Sequence, residues 1–307
     1  MRRTRRDGHF PRWAPPPPVP PASRGALSPL TGVCPFMSAA LRRPGLLLAL
    51  AWLVAVLLAA MVPELFTSRD PLATSTADRL LGPSWSHPFG TDQLGRDLFT
   101  RAVHGTSRTV PAALLATVIG LGAGTLLGLL AGFLRGWTDL VLMRIVDVLL
   151  SIPGLLLALA LIAVLGRGDT VDVAVAIGVA AIASTARVMR AEVLRVRESL
   201  FVDAARSGGA RWHRVLARHV LPNSMGPVWA LTALLFGAAI LGVTTLSFLG
   251  FGTQPPTPEW GSLVSTGRNF LRGAWWMSIL PGVVVALTVL AANRLSHEFG
   301  DEPGAAR

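Results

Sequence analysis

The chain contains no lysine. All 28 of its basic residues are arginine, so a phosphate-binding loop of the form Gly, four residues, Gly-Lys-Ser/Thr cannot be written anywhere in its 307 residues. The chain is therefore not expected to hydrolyse ATP itself. Cysteine is nearly absent: Cys34 stands alone, which excludes an intrachain disulfide, a zinc cluster and a CxxC redox pair. Charge is scarce too, at 15% of residues against 51% hydrophobic, a balance more apolar than a soluble domain of this size needs. The apolar stretches lack paired carboxylates, metal-spaced histidines and a Gly-x-Ser-x-Gly elbow, which argues against a membrane enzyme. No internal repeat is visible, which argues against a solenoid.

What is present is a set of long apolar runs. Crossing a hydrocarbon core about 30 Å thick takes roughly 20 helical residues. Runs at Gly45–Pro63, Val110–Phe133, Leu140–Leu165, Val171–Val188, Pro227–Leu249 and Trp275–Ala292 meet that length and predict an all-α membrane protein with six transmembrane helices. The first run is too long for the apolar part of a cleaved leader, and further spans follow it. An even number of spans places both termini on one side. The formal charge of +11 is carried by arginines beside apolar runs rather than by one patch interleaved with aromatics, which favours membrane orientation over nucleic-acid binding. Eight arginines up to Arg43, and Arg190, Arg195, Arg197, Arg206, Arg211, Arg214 and Arg218 after the fourth span, mark those regions and both termini as cytoplasmic. In Glu64–Arg108 five arginines meet five acids, as suits an outer loop. Residues 1–36, rich in Arg and Pro, carry no apolar periodicity and are expected to form a disordered cytoplasmic arm. Met37 offers a second start, in which case that arm is not translated. The expected divisions are then 37–108, a first span and extracytoplasmic loop; 109–300, the core; and 301–307, a tail.

The second span repeats Ala112, Ala116, Gly120, Gly124, Gly128 and Gly132 every four residues, a stripe that lets another helix approach closely. That helix belongs either to this subunit or to a partner. The third span carries Arg144, Asp147, Ser151 and Pro153. Asp147 lies about 10 Å in from Leu140, where it is either a path or gating residue or half of an intrahelical pair with Arg144. Pro153 and Pro281 each remove a backbone hydrogen bond inside a predicted span. Trp275 and Trp276 suit an interfacial anchor, and Trp260 is placed on an outer loop.

The segment Phe201–Asn223 (201–223) reads as helix, glycine turn, helix. The first helix is expected to continue out of span four to about Arg206, Gly208 and Gly209 end it, and Trp212, Val215, Leu216 and His219 recur at helical spacing up to a stop at Pro222. Asp203, Ala204, Ala205, Gly209, His219, Leu221 and Pro222 fall in the register of the EAA loop of ABC importer permeases, with Asp203 standing for glutamate and His219 for isoleucine. A second string, Gly90-Thr91-Asp92-x-x-Gly95-Arg96-Asp97, is similar to one in peptide and nickel permeases of that family. Thr91 or Asp92 can cap the following turn, and Asp97 and Arg101 can pair at i, i+4 to anchor an interfacial helix. Receipt of substrate from a binding protein is the second reading of that string.

The chain thus resembles C-type permeases of dipeptide, oligopeptide and nickel ABC importers over about residues Leu41 to Phe299. The resemblance implies the ABC importer type I permease fold, a bacterial inner-membrane location and a non-enzymatic role as half of a translocation path. It implies as partners a B-type permease, two ATP-binding subunits that hold the ATP, an extracytoplasmic substrate-binding protein and the lipid bilayer, with no nucleic acid. It implies no cofactor and no metal on this chain. Di- or oligopeptides are the default cargo, with nickel or glutathione as alternatives and a self-contained secondary transporter as the remaining class.

Overall fold

The computed structural model describes residues 44–166 and 168–300, the last two as backbone only. The arm at 1–36, Cys34, Met37, Arg42 and Arg43, and the tail at 301–307 lie outside the described residues. Among those described, the elements are helical throughout. They are α1 (Pro44–Met61), α2 (Leu98–Leu134), α3 (Gly136–Ser151), α4 (Gly154–Leu165), α5 (Thr170–Arg197), α6 (Leu200–Ser207), α7 (Trp212–Val215), α8 (Leu221–Ser224), α9 (Gly226–Phe248), α10 (Trp260–Gly267) and α11 (Trp276–Gly300).

Five of these, α1, α2, α5, α9 and α11, are long and apolar enough to cross a bilayer alone. The expected third span is not one helix: α3 and α4 meet at 97°, and only together do they supply a sixth span. The cause is local. Pro153 disfavours helical geometry in the residue before it, and Ile152 is extended (φ −95°, ψ 127°). Pro111 and Pro281, by contrast, lie within α2 and α11.

Helix α2 is the spine. Its 37 residues make it about 55 Å long, well beyond the hydrocarbon thickness. It starts at Leu98, twelve residues before the expected Val110, because the Asp97 side chain accepts the Thr100 N–H at 2.8 Å and caps it. The anticipated interfacial helix is therefore the first turns of α2 itself. At the other end Arg135 (φ 57°) and Gly136 (φ 59°) take left-handed conformations and reverse the chain into α3.

The small-residue stripe of α2 faces α5. A Cβ on Gly128 would stand 2.4 Å from the Ala186 carbonyl oxygen and 2.9 Å from the Arg190 nitrogen, and one on Gly124 would meet Thr185 Cβ at 2.5 Å. Only glycine permits this approach, in which backbone packs on backbone. Of the two readings of the stripe, packing inside the subunit is the observed one. Helix α1 lies at the edge with most of its side chains outward, tied to α11 by the Trp52 indole N–H donating to Thr288 Oγ1 at 3.1 Å.

Candidate coupling site and path residues

The segment after α5 folds as a hairpin, with two departures from expectation. First, the helix does not run unbroken to Arg206: α5 ends at Arg197, Ser199 is extended (ψ 146°), and α6 starts afresh at Leu200. Second, Pro222 does not end the second arm. Helical backbone continues from Trp212 to Ser224 through a π turn at Leu216–Val220, in which the Leu221 N–H reaches back five residues to the Leu216 carbonyl. The widened turn shifts the hydrogen-bond register just before Pro222, which falls in the first turn of α8 within this continuous helical run.

The turn between the arms closes in the manner of a helix C-terminus. Gly208 N–H donates to the Ala204 carbonyl at 3.0 Å, Ala210 N–H to the Ala205 carbonyl at 3.2 Å, and Gly209 takes φ +78°. One side of the hairpin is apolar and seated: Val202, Val215, Leu216 and Val220 are buried against Leu129 of α2, Val193 and Val196 of α5 and Val228 of α9. The other side is bare. Asp203, Ala204, Gly209 and Pro222 are exposed, Ala205, His219 and Leu221 are half-buried, and Leu200 stands out at 87% exposure. The structure thus brings Asp203, Ala204 and Gly209 onto one outward surface around the turn.

Asp147 does not pair with Arg144. Its partner is Arg187 of α5, at 2.8 Å, with the two side chains 54% and 58% exposed. Charges so open at a bilayer crossing face water or protein rather than lipid, because hydrocarbon penalises each of them. Three residues after Arg187, Arg190 donates two hydrogen bonds to Asp139 of α3 at 2.6 and 2.7 Å. Three residues before Arg187, Ser184 lines a cavity of about 290 Å³ whose other walls include Ala116, Thr117, Gly154, Ala180 and Ala238. Four helices meet there, and Gly154 is the first residue after the Pro153 break. Sequence inspection missed Arg187, Asp139 and Arg190 as partners, since nothing in one strand of text says which helix faces α3.

The string from Gly90 to Asp97 forms a locked crown at one end of the molecule. Thr91 Oγ1 accepts the Leu81 N–H at 2.8 Å and donates to the Asp78 carbonyl. Asp92 accepts Leu94 N–H at 2.8 Å, Arg96 N–H at 3.0 Å and Arg96 Nε at 2.6 Å, with Arg101 Nε 3.8 Å away. Asp97 does not pair with Arg101. It binds Arg69 and His87 at 3.1 and 2.7 Å, while Arg101 donates to the carbonyls of Pro71 and Pro256. Gly95 (φ +74°) is forced, since a Cβ there would stand 1.8 Å from the Ser75 carbonyl oxygen. Gly90 (φ +73°) makes room for Trp276, which is buried and donates from its indole N–H to the Thr91 carbonyl at 3.2 Å. Trp275 alone of that pair is exposed.

Trp260 is not on a loop surface. It is fully buried at the start of α10, its indole N–H donating to the Ala102 carbonyl at 2.9 Å. Beside it Glu259, in the connection between α9 and α10, caps α10 by accepting the N–H groups of Gly261 and Ser262 and also takes the Thr109 hydroxyl at 3.0 Å. Burial pushes its carboxyl above the usual range, against the pull of those hydrogen bonds. Among the described residues no three His, Cys, Asp or Glu converge as metal ligands.

Comparison with known proteins gives this architecture a family. Residues 124–297 match the binding-protein-dependent transport system inner membrane component. The chain is 38% identical over 245 residues to the dipeptide transport system permease protein DppC of Alkalihalophilus pseudofirmus, covering 80% of each. It is 40% identical over 250 residues to the probable D,D-dipeptide transport system permease protein DdpC of Escherichia coli, covering 81% of this chain and 82% of that one. To the glutathione transport system permease protein GsiD of Pectobacterium atrosepticum it is 40% identical over 220 residues, covering 72% and 73%. In fold it is similar to a chain of an amino acid ABC transporter crystallised with histidines (TM-score 0.53, 16% identity, 66% of this chain and 93% of that one). A chain of the inward-facing MetNI methionine ABC transporter is similar too (TM-score 0.52, 18% identity, 65% and 96%). With five apolar spans, a sixth broken at Pro153 and a helical hairpin between the fourth and fifth, the chain belongs to the binding-protein-dependent transport system inner-membrane components and is a permease subunit of the ABC importer type.

Proposed function

We propose that this chain forms half of the path by which di- or oligopeptides enter the cell, and that its Asp203–Pro222 hairpin receives the movement of an ATP-binding subunit. The observation that carries the reading is the two-sided hairpin: apolar residues seat it on α2, α5 and α9, while Asp203, Ala204 and the Gly209 turn face outward. Small residues at the exposed turn let a partner surface come close, and Asp203 offers a charge for a partner cation. The second permease, of B type, closes the path on the α5 side, where the Asp147–Arg187 pair and the Ser184 cavity lie open. An extracytoplasmic binding protein delivers substrate to the crown, both termini are cytoplasmic, and ATP is held by the two ATP-binding subunits. The chain itself contributes no catalytic residue and no cofactor. Closing of the ATP-binding subunits draws the hairpins together and switches the paired permeases from inward to outward opening. Glutathione, itself a tripeptide, fits the same chemistry, and a glutathione permease is among the relatives.

The test is reconstitution with the cognate B-type permease, ATP-binding subunits and binding protein in proteoliposomes, comparing wild type with Gly209→Pro. Proline holds φ near −65°, which the +78° turn cannot accept. Loss of both substrate-stimulated ATP hydrolysis and uptake, with the subunits still co-purifying, is expected. Coupled turnover at the wild-type rate would remove the Gly209 turn from the mechanism.

A further inference from the structure

The break between α5 and α6 poses a mechanical problem. The hairpin is joined by chain only to α5, through Glu198 and Ser199, and to α9, through Met225. Ser199 is extended, so a push on α6 has a pivot at which to be absorbed before it reaches the spans. Besides the apolar seat on Leu129 of α2, Val193 and Val196 of α5 and Val228 of α9, one ring from α2, a helix with no chain connection to the hairpin, touches both arms. Phe133, at the cytoplasmic end of α2, is buried. The Arg206 guanidinium of α6 lies 5.5 Å from its ring centroid, and the Trp212 ring of α7 lies 6.4 Å away at 36°. Both arms of the hairpin, one on each side of the Gly209 turn, rest on the same ring. Arg197, the last residue of α5, adds a guanidinium at 5.7 Å from that centroid and donates to the Phe133 carbonyl at 2.6 Å. Two like charges thus converge on one ring, whose negative face attracts each cation.

We propose that Phe133 is the positioning residue that clamps both arms of the hairpin to α2, so that movement imposed at the turn is delivered to the α2–α5 pair rather than lost at the Glu198–Ser199 break. The glycine seam does the rest: α2 and α5 are in backbone contact along Gly120 to Gly132 and move as one body. The proposal rests on the reading of the hairpin given under Proposed function.

The experiment is uptake per ATP hydrolysed in proteoliposomes holding the whole transporter, with wild type, Phe133→Leu, Phe133→Tyr and Arg206→Gln. Leucine keeps apolar packing against Val202 and Val215 but has no ring face, so the ratio is expected to fall about tenfold, and tyrosine is expected to hold it near wild type. Arg206→Gln is expected to lower the ratio in the same direction. Adding it to Phe133→Leu should lower the ratio no further, because both remove one contact. Leucine and tyrosine variants that couple equally well, or fail equally, would overturn the clamp, since only packing would then be at stake. Should Phe133→Leu not assemble, Arg206→Gln decides: lowered coupling supports the clamp and wild-type coupling overturns it. A wild-type transporter with no ATP-dependent uptake would instead defeat the transport reading and the clamp together.

Discussion

The two ends of the molecule are held in opposite ways. At the crown a long connection without regular structure is fixed by directional bonds to buried charges: Asp92, Arg96, Asp97 and Arg101 all lie beneath the surface, each engaged by backbone or side-chain groups. At the opposite end a short, regular hairpin is held chiefly by apolar contact, with Leu200, Phe201 and Trp212 exposed. A network of directional bonds to buried charges specifies one geometry, because displacement breaks those bonds. Apolar contact is non-directional and tolerates small rotations at little cost. The crown is held to one geometry, while the seat of the hairpin tolerates small adjustments.

The contrast breaks most visibly at Asp92. Asp92→Asn keeps an acceptor for the Leu94 and Arg96 N–H groups but removes the counter-charge at 2.6 Å from Arg96 and 3.8 Å from Arg101. Two buried guanidiniums then lack a carboxylate, and a loss of about 3–5 kcal/mol is expected. Thermal unfolding of the purified protein in detergent measures it. An unchanged midpoint would mean that the crown is only draped over α2.

The shaft between the ends comes next in size. Gly128→Ala brings a methyl within 2.4 Å of a carbonyl oxygen that belongs to the α5 backbone and cannot rotate away, for an expected cost of about 1–3 kcal/mol. Gly122→Ala, on the same helix with nothing within 4 Å of the added carbon, is the control and is expected to be neutral or to stabilise by about 0.5–1 kcal/mol through helix propensity. Equal behaviour of the two variants would show that α2 and α5 are not locked.

Much of this frame is legible in sequence, because it depends on periods and runs. Apolar length locates the spans, spacing by four picks out the α2 stripe, and the residue pattern from Asp203 to Pro222 marks the hairpin. What escapes is whatever depends on a neighbour distant in the chain. Proline illustrates the limit: Pro153 breaks a span because Ile152 turns extended, while Pro222 is absorbed by a π turn, and each follows an ordinary stretch of apolar and polar residues. Trp260 and Glu259 resemble loop residues until α2 supplies Ala102 and Thr109 as their partners. Asp147 finds Arg187 rather than Arg144, and Phe133 looks like one more apolar residue of α2 until Arg206 and Trp212 arrive beside it from more than 70 residues away.

The smallest expected effect sharpens the comparison because it concerns charge away from the crown. Asp147 and Arg187 bond at 2.8 Å, nearly as close as the Asp92–Arg96 contact, yet both side chains are more than half exposed. In such surroundings the attraction is offset by hydration and by the freedom both long side chains give up, so Asp147→Asn should cost the isolated subunit under about 1 kcal/mol. Adding salt should shrink even that difference, whereas the Asp92→Asn loss should persist. Unfolding both variants at low and high salt separates the cases. If Asp147→Asn proved as damaging as Asp92→Asn and equally indifferent to salt, the hairpin half would be held by charge as firmly as the crown, and the contrast between the two ends would fail.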